Sequence, residues 1–200
     1  MNNLQALPIG IQSIEKLREG NYLYIDKTDL VYRLATSGCY YFLSRPRRFG
    51  KSMLLSTLHA YFEGKKELFE GTAIAHLEKS WIKYPVLHLD LNLVQMQSEN
   101  SLNEVLDDAL KEWEEIYQVK EIRPSLELRF KAVVAQAYKT TRKGVVILVD
   151  EYDKPILQTI ENEALQQRYR STFKAFYSVL KTMDRCIKFA LLTGVTKFGK

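Results

Sequence analysis

The sequence predicts an α/β fold, a three-layer αβα sandwich around a mostly parallel sheet. Two observations carry that expectation. Val145-Val146-Ile147-Leu148-Val149 is an unbroken run of branched or apolar residues, which reads as a strand buried on both faces, as parallel strands beneath helices are. Strand-like runs also alternate with helix-period segments along the chain, the pattern of repeated strand-helix-strand units. In such a sheet a ligand is expected at the carboxyl ends of the strands.

Taken in order, residues 8 to 25 form an irregular lead-in with a short helix around Ser13 to Arg18, ending in the alternating Tyr22-Leu23-Tyr24-Ile25. Asp26 or Thr28 is a candidate cap for the next helix, whose apolar Leu30, Val31 and Leu34 recur at helical spacing. Gly38 closes it, and Cys39-Tyr40-Tyr41-Phe42-Leu43 is the first strand. A helix starting at Ser52 shows an apolar face of Met53, Leu54, Leu55, Leu58, Tyr61 and Phe62 and stops near Gly64. Lys65 to Lys83 reads as a short helix with turns. Pro85 opens the alternating strand Val86-Leu87-His88-Leu89-Asp90-Leu91. Ser101-Leu102-Asn103-Glu104 has capping-box spacing ahead of an amphipathic helix that runs to Tyr117, and a second helix spans about Ser125 to Lys139. After Gly144 and the buried strand, a long helix from roughly Glu163 to Met183 leads to a fourth strand, Ile187 to Gly194. No repeat or Gly/Ser/Pro-rich linker divides the chain, so residues 1–200 are read as one domain.

Composition narrows the function classes. With 46% hydrophobic and 26% charged residues the chain has the balance of a soluble globular protein that needs no disulfide or metal to hold its core. No apolar run reaches the length of a membrane span, and the start Met1-Asn2-Asn3-Leu4 lacks the regions of a signal peptide, so the cytoplasm is the expected compartment. Cys39 and Cys186 are expected to be buried free thiols. His59, His76 and His88 are scattered, with no partner at ligand spacing, so no metal other than nucleotide-bound Mg²⁺ is indicated. Arg168-Tyr169-Arg170 and Lys174-Ala175-Phe176-Tyr177 superficially resemble a stacking surface for nucleic acid, but Tyr169, Phe173, Phe176, Tyr177 and Leu180 fit better as the buried stripe of a helix. The net charge of +5 permits an acidic partner without demanding one. The local cluster says more: Arg45, Arg47, Arg48 and Lys51 are four cations within seven residues.

That cluster belongs to Arg45-Pro46-Arg47-Arg48-Phe49-Gly50-Lys51-Ser52, a phosphate-binding loop of the Walker A pattern G-x-x-x-x-G-K-[ST] with Arg45 at the position of the first glycine. In a strand-loop-helix unit the backbone N–H groups of the loop and of the helix start converge on one anion. Arg45, Arg47, Arg48, Phe49, Gly50, Lys51, Ser52 and Met53 are therefore the candidate nucleotide contacts, Lys51 reaching the β- and γ-phosphates and Ser52 offering its hydroxyl to Mg²⁺. Pro46 fixes its own φ and biases Arg45 towards extended backbone, so this loop cannot copy a glycine-started turn. The three arginines have three readings: contact with the triphosphate, contact with a nucleic-acid backbone, or solvation of an exposed loop.

Asp150-Glu151, after four apolar residues, completes a Walker B pattern. Asp150 is expected to hold Mg²⁺ through its water shell, and Glu151 to polarise the water that attacks the γ-phosphate. Thr193, at the end of the last strand, is either a γ-phosphate contact or simply a strand-ending threonine. Asp153 and Lys154 are candidates for a second acid or a phosphate contact, but read rather as surface residues that start a turn before Pro155.

Leu7-Pro8-Ile9-Gly10, Tyr24-Ile25-Asp26-Lys27-Thr28, the loop Phe42 to Ser52 and Asp150-Glu151-Tyr152-Asp153-Lys154-Pro155 together resemble the bacterial AAA-ATPase-like domain family. The resemblance spans nearly the entire chain, and the R-P-R-R-F-G-K-S loop is its most specific part. It implies a P-loop NTPase of the additional-strand class, with core strand order 5-1-4-3-2 and, in longer members, a PD-(D/E)XK nuclease-like domain behind it. Only four such strands are found before Lys200, so a fifth strand, a lid with a second sensor arginine and any nuclease domain are expected beyond it. A missing edge strand would leave the Cys39 to Ser44 strand open to pairing. The expected function is Mg²⁺-dependent binding and hydrolysis of ATP that regulates or drives an attached effector, with nucleic acid reached through a nuclease-like domain. A homo-oligomer would add an arginine finger, for which Arg168, Arg170 and Arg185 are candidates. The alternative is a nucleotide-responsive binding module with negligible hydrolysis that engages nucleic acid or a protein partner.

Overall fold

Four strands, each separated from the next by helices, form a single parallel sheet in this computed structural model, which describes residues 5–92, 98–121 and 123–196. Helices α1 (Ile14–Glu19) and α2 (Thr28–Ser37) precede β1 (Tyr40–Ser44). Helix α3 (Lys51–Phe62), a 3-10 turn at Lys66–Phe69 and α4 (Ala73–Leu77) lead to β2 (Val86–Asp90). The pair α5 (Ser101–Ile116) and α6 (Leu126–Thr141) leads to β3 (Val145–Asp150), and α7 (Lys154–Gln158) and α8 (Glu163–Thr182) lead to β4 (Ile187–Gly194). The strand order is β1-β4-β3-β2, with every pairing parallel, which is the order expected for strands 1, 4, 3 and 2.

The central strand shows why the sheet is covered on both sides. All six residues of β3 are buried, and they alternate between two cores. Val145, Ile147 and Val149 pack with α5, α6 and α8 through Leu106, Leu110, Phe130 and Phe176. Val146 and Leu148 pack on the other face with Leu55, Leu58 and Phe62 of α3 and with Phe189 and Leu191 of β4. A period-two backbone between two helical layers requires apolar residues at every position, which is what the uninterrupted run supplies. The aromatic stripe of α8 is likewise interior: Tyr169, Phe173 and Phe176 are buried, and Phe176 stacks on Phe130 with ring centroids 4.4 Å apart.

The lead-in is tied to the core by side chains. Ser13 caps α1 by accepting from Lys16 N, and the N–H of Ile14 donates to Ser56 Oγ on α3 at 2.9 Å. Asp26 accepts from the N–H of Thr28 at 2.9 Å and of Ala73 at 2.7 Å, so one carboxylate serves the starts of both α2 and α4. Thr28, fully buried, accepts in turn from Ile74 N at 3.0 Å.

Three expectations are corrected. The capping box at Ser101 to Glu104 does not form: Ser101 is already inside α5, Asn100 precedes it without a side-chain cap, and the Ser101 hydroxyl takes the N–H of Ser98 instead. Cys39 is exposed and Cys186 half-buried, because β1 is an edge strand of the described sheet and Cys39 falls just before it. Asp153 is no surface residue but is fully buried. On β1 itself Tyr40 and Phe42 are exposed, as foreseen for an edge.

Phe189 sits within the core on the α3 face of the sheet, fully buried, 5.1 Å from the Phe62 ring and 5.5 Å from that of Tyr41. Phe189→Ala is expected to cost about 3–5 kcal/mol, read as a lower urea midpoint. A loss below about 1 kcal/mol would mean that β4 is not packed as described.

Candidate functional site

The strand ends bring the predicted residues together. β1 runs into the loop of residues 45–50, which turns straight into α3, so Lys51 and Ser52 occupy the first turn of that helix. Gly50, the residue before it, has φ +76, a left-handed conformation that side chains rarely adopt. Arg48 is left-handed as well, with φ +66. Backbone N–H groups of Arg47, Arg48, Phe49 and Gly50 have no acceptor among the described residues. Such a turn of free N–H groups at a helix start is an anion-binding concavity.

Asp150 ends β3 and is 4% exposed. Its Oδ2 accepts from Ser52 Oγ at 2.6 Å and its Oδ1 from Thr193 Oγ1 at 2.6 Å. One carboxylate thus joins the helix after β1 to the end of β4. Thr193 is fully buried and bonded to Asp150, and the N–H of Glu151 points at the same hydroxyl at 3.4 Å.

Lys51 is turned into the loop. Its side chain is 3% exposed, and Nζ lies 2.9 Å from Glu151 Oε1. It also donates to the carbonyls of Arg45 at 3.0 Å and Pro46 at 3.3 Å. An ammonium has three N–H bonds, so Lys51 is satisfied in full, as a buried charge must be. Glu151 is its counter-ion and holds a left-handed backbone, φ +51, that is uncommon for a non-glycine residue. Around this buried pair Arg45, Arg47, Arg48 and Phe49 are exposed, Phe49 by 61%, while Met53 packs half-buried against the core on the α3 face.

Asp153, for which sequence reasoning favoured a surface role over a second acid, is buried at the strand ends. Its Oδ2 accepts from Val195 N at 2.8 Å, Thr196 N at 2.6 Å and Thr196 Oγ1 at 2.9 Å, while Oδ1 has no partner among the described residues. A Cβ on Gly194 would meet that Oδ1 at 2.6 Å, so glycine is required there for close approach. Lys154 also has a role, its Nζ lying 3.4 Å from Asn92 Oδ1 and donating to the Asn92 carbonyl. The repeated acid three residues after Asp150 was the available signal. Of the arginines considered for a neighbouring subunit, Arg168 pairs with Glu99 of its own chain.

A cleft of about 630 Å³ opens beside Ser52, between Ser56 and His59 of α3, His88 and Asp90 of β2 and the lead-in around Ser13. A larger cleft, of about 740 Å³, lies away from these residues, around Arg129 between α5, α6 and α8. We assign the site from the convergence of side chains. Within the smaller cleft His59 and His88 meet edge to face, centroids 5.4 Å apart. Burial lowers the pKa of both below the ordinary histidine value, with the neighbouring Glu63 opposing it at His59 and Asp90 opposing it at His88.

A family profile described as "Predicted AAA-ATPase" matches residues 8–200. The chain belongs to the AAA-ATPase-like family. Among curated proteins it is 38% identical over 198 residues to an "uncharacterized protein in vnfD 5'region" of Azotobacter chroococcum mcd 1, an alignment that covers 98% of this chain. The chain spans 38% of the length of that relative. No solved structure matches it. Membership of this AAA-ATPase-like family agrees with the α/β architecture and supports a nucleotide-binding theme. Among the described residues no helix is long and apolar enough to cross a membrane.

The histidine pair sets a pH dependence. Because the folded-state pKa values lie below the unfolded value of about 6.5, the unfolded chain takes up protons first as pH falls, so this contribution is fully present above that value and is lost below it. Urea midpoints are expected to drop between pH 7.5 and 5.5, and to drop less in His88→Leu. Parallel losses in the two proteins would remove the histidines from the account.

Proposed function

We propose that the chain binds Mg²⁺-ATP at the residue 45–53 loop and the end of β3, and hydrolyses it. The observation that carries this is the convergence of Lys51, Ser52, Asp150 and Glu151, with Ser52 Oγ 2.6 Å from Asp150 Oδ2. These are two hard oxygen donors of the kind Mg²⁺ takes when phosphate and water supply the rest of its shell. No group of three or more His, Cys, Asp or Glu among the described residues is arranged to hold a metal, and Mg²⁺ bound in this manner requires none. Held by Ser52 and Asp150, Mg²⁺ would supply neutralisation of the charge that develops on the phosphates.

The side chains suggest the order of events. A triphosphate offers Lys51 a denser negative charge than the single carboxylate of Glu151, so it competes for Nζ in the dry loop. Lys51 then bonds phosphate oxygen, and Glu151 loses its partner. Freed, the Glu151 carboxylate accepts a proton from water as the water oxygen forms its bond to the γ-phosphorus. The bond from that phosphorus to the bridging oxygen breaks, leaving ADP and phosphate. Arg45, Arg47, Arg48, Phe49, Gly50 and Met53 line the approach, and Thr193 holds Asp150 in position.

We place the reaction in the cytoplasm and assign its output to an effector outside residues 1–200, with a nuclease-like domain, nucleic acid and a second copy of the chain as the partners to test. The second reading, a nucleotide-responsive module with negligible turnover, draws on the same Lys51–Glu151 pair. If Glu151 stays on Lys51 with nucleotide bound, no base is available.

Lys51→Ala is expected to abolish Mg-ATP binding, and Glu151→Gln to retain bound ATP while releasing no phosphate. ATP at a hundred times its dissociation constant should stabilise the wild type by about 2.7 kcal/mol, visible in a thermal scan. Equal ATP affinity in Lys51→Ala would sink both readings, and equal phosphate release in Glu151→Gln would remove Glu151 as base.

A further inference from the structure

We infer that Asp153 is a positioning residue that straps the end of the acidic strand to the start of the phosphate loop. The inference rests on the proposed nucleotide site and adds a residue to it. Asp153 is 0% exposed, and its Oδ2 gathers the N–H groups of Val195 and Thr196 and the Thr196 hydroxyl. These donors belong to the turn that follows β4. The same turn faces the other way through its carbonyls: Gly194 O accepts from Arg45 N at 3.0 Å, and Val195 O accepts from Ser44 Oγ at 2.8 Å. Arg45 O in turn receives Lys51 Nζ. A continuous path of hydrogen bonds therefore runs from Asp153 through residues 194–196 to Ser44, Arg45 and Lys51.

The Glu151 side of the strap is held as firmly. Tyr152 N donates to Thr193 O at 2.8 Å, the Tyr152 hydroxyl donates to Thr196 O at 3.1 Å, and its ring packs edge to face on Phe42 of β1 at 5.0 Å. Glu151 lies between Asp150 and these anchors in its left-handed conformation. Released from Asp153, the turn after β4 would be free to move, and the loop that presents Lys51 would shift relative to Glu151. An error of about 1 Å between reacting groups lowers a rate by about a hundredfold without removing the groups that bind substrate. A carboxylate with one oxygen on three donors and the other, against Gly194, without a partner among the described residues is also a poor choice for packing alone. The residue's value lies in holding the turn.

Two near-isosteric variants test this in the full chain. Asp153→Asn removes the charge on the three donors, and Ser44→Ala, at an exposed strand end, removes the far anchor. Amide hydrogen exchange at Arg45 is expected to quicken by about tenfold or more in Asp153→Asn while the β3 amides of residues 146–149 keep their protection. Phosphate release is expected to fall by about tenfold or more in each variant with the Mg-ATP dissociation constant within about threefold, and the double variant should be no slower than the slower single one, as for two ends of one connection. Unchanged exchange at Arg45, or rate losses that multiply in the double variant, would overturn the strap. If the wild type neither binds ATP nor releases phosphate, the proposed function fails, and exchange at Arg45 alone decides the role of Asp153.

Discussion

The carboxylate of Asp150 is the junction on which the site's geometry depends. It stands at the end of a strand buried on both faces, and it holds the hydroxyl of Ser52 with one oxygen and that of Thr193 with the other. Those hydroxyls come from α3 and from β4, so a single side chain fixes three elements that the chain delivers separately. A buried carboxylate must be hydrogen-bonded, but two neutral hydroxyls do not cancel its charge. Under the proposed function this carboxylate, facing the helix start, is where the cation would be held.

A second ionic arrangement complements it. Lys51 and Glu151 are nearly enclosed and satisfy each other, with the Arg45 and Pro46 carbonyls taking the remaining ammonium hydrogens. A buried pair of this kind contributes little net stability, because desolvation offsets most of the attraction. Its consequence is instead a competition: whatever takes Lys51 must be more anionic than a carboxylate, and taking it releases Glu151. The left-handed backbone of Glu151 fits the same picture, since strain of about 1–3 kcal/mol is tolerated where neighbours over-determine a residue. Thr193, Tyr152 and Asp153 are those neighbours.

Much of the fold was legible because burial imposes period on sequence. The run Val145 to Val149 had to be a strand between two helical layers, and Ile187–Gly194 was bounded by its own composition. The loop and Asp150-Glu151 stood out by their spacing, and the structure brings them together at the strand ends. Asp153 did not stand out, because an acid beyond a strand end reads as seeking water, and its donors at Val195 and Thr196 lie 42 and 43 residues along the chain. The inward turn of Lys51 depends on two loop carbonyls whose direction is set by backbone conformation. The meeting of His59 and His88 arises from α3 crossing β2, which no local spacing encodes. Ser101 shows the converse: the capping pattern was present, but the preceding turn took the hydroxyl.

The arginines of the loop acquire a meaning from this division of charge. Arg45, Arg47 and Arg48 are exposed, whereas the buried cation is already matched by Glu151. Exposed charges act over about 8 Å at physiological salt, so a rim of three raises the local concentration of an anion without committing it to the site. Under the proposed function, selection would occur one step deeper, where an anion must fit the free N–H groups of residues 47–50 and displace a carboxylate from Lys51. On that proposal, losing a rim arginine would slow arrival in a salt-dependent manner, while losing Lys51 would remove the point at which phosphate is exchanged for Glu151.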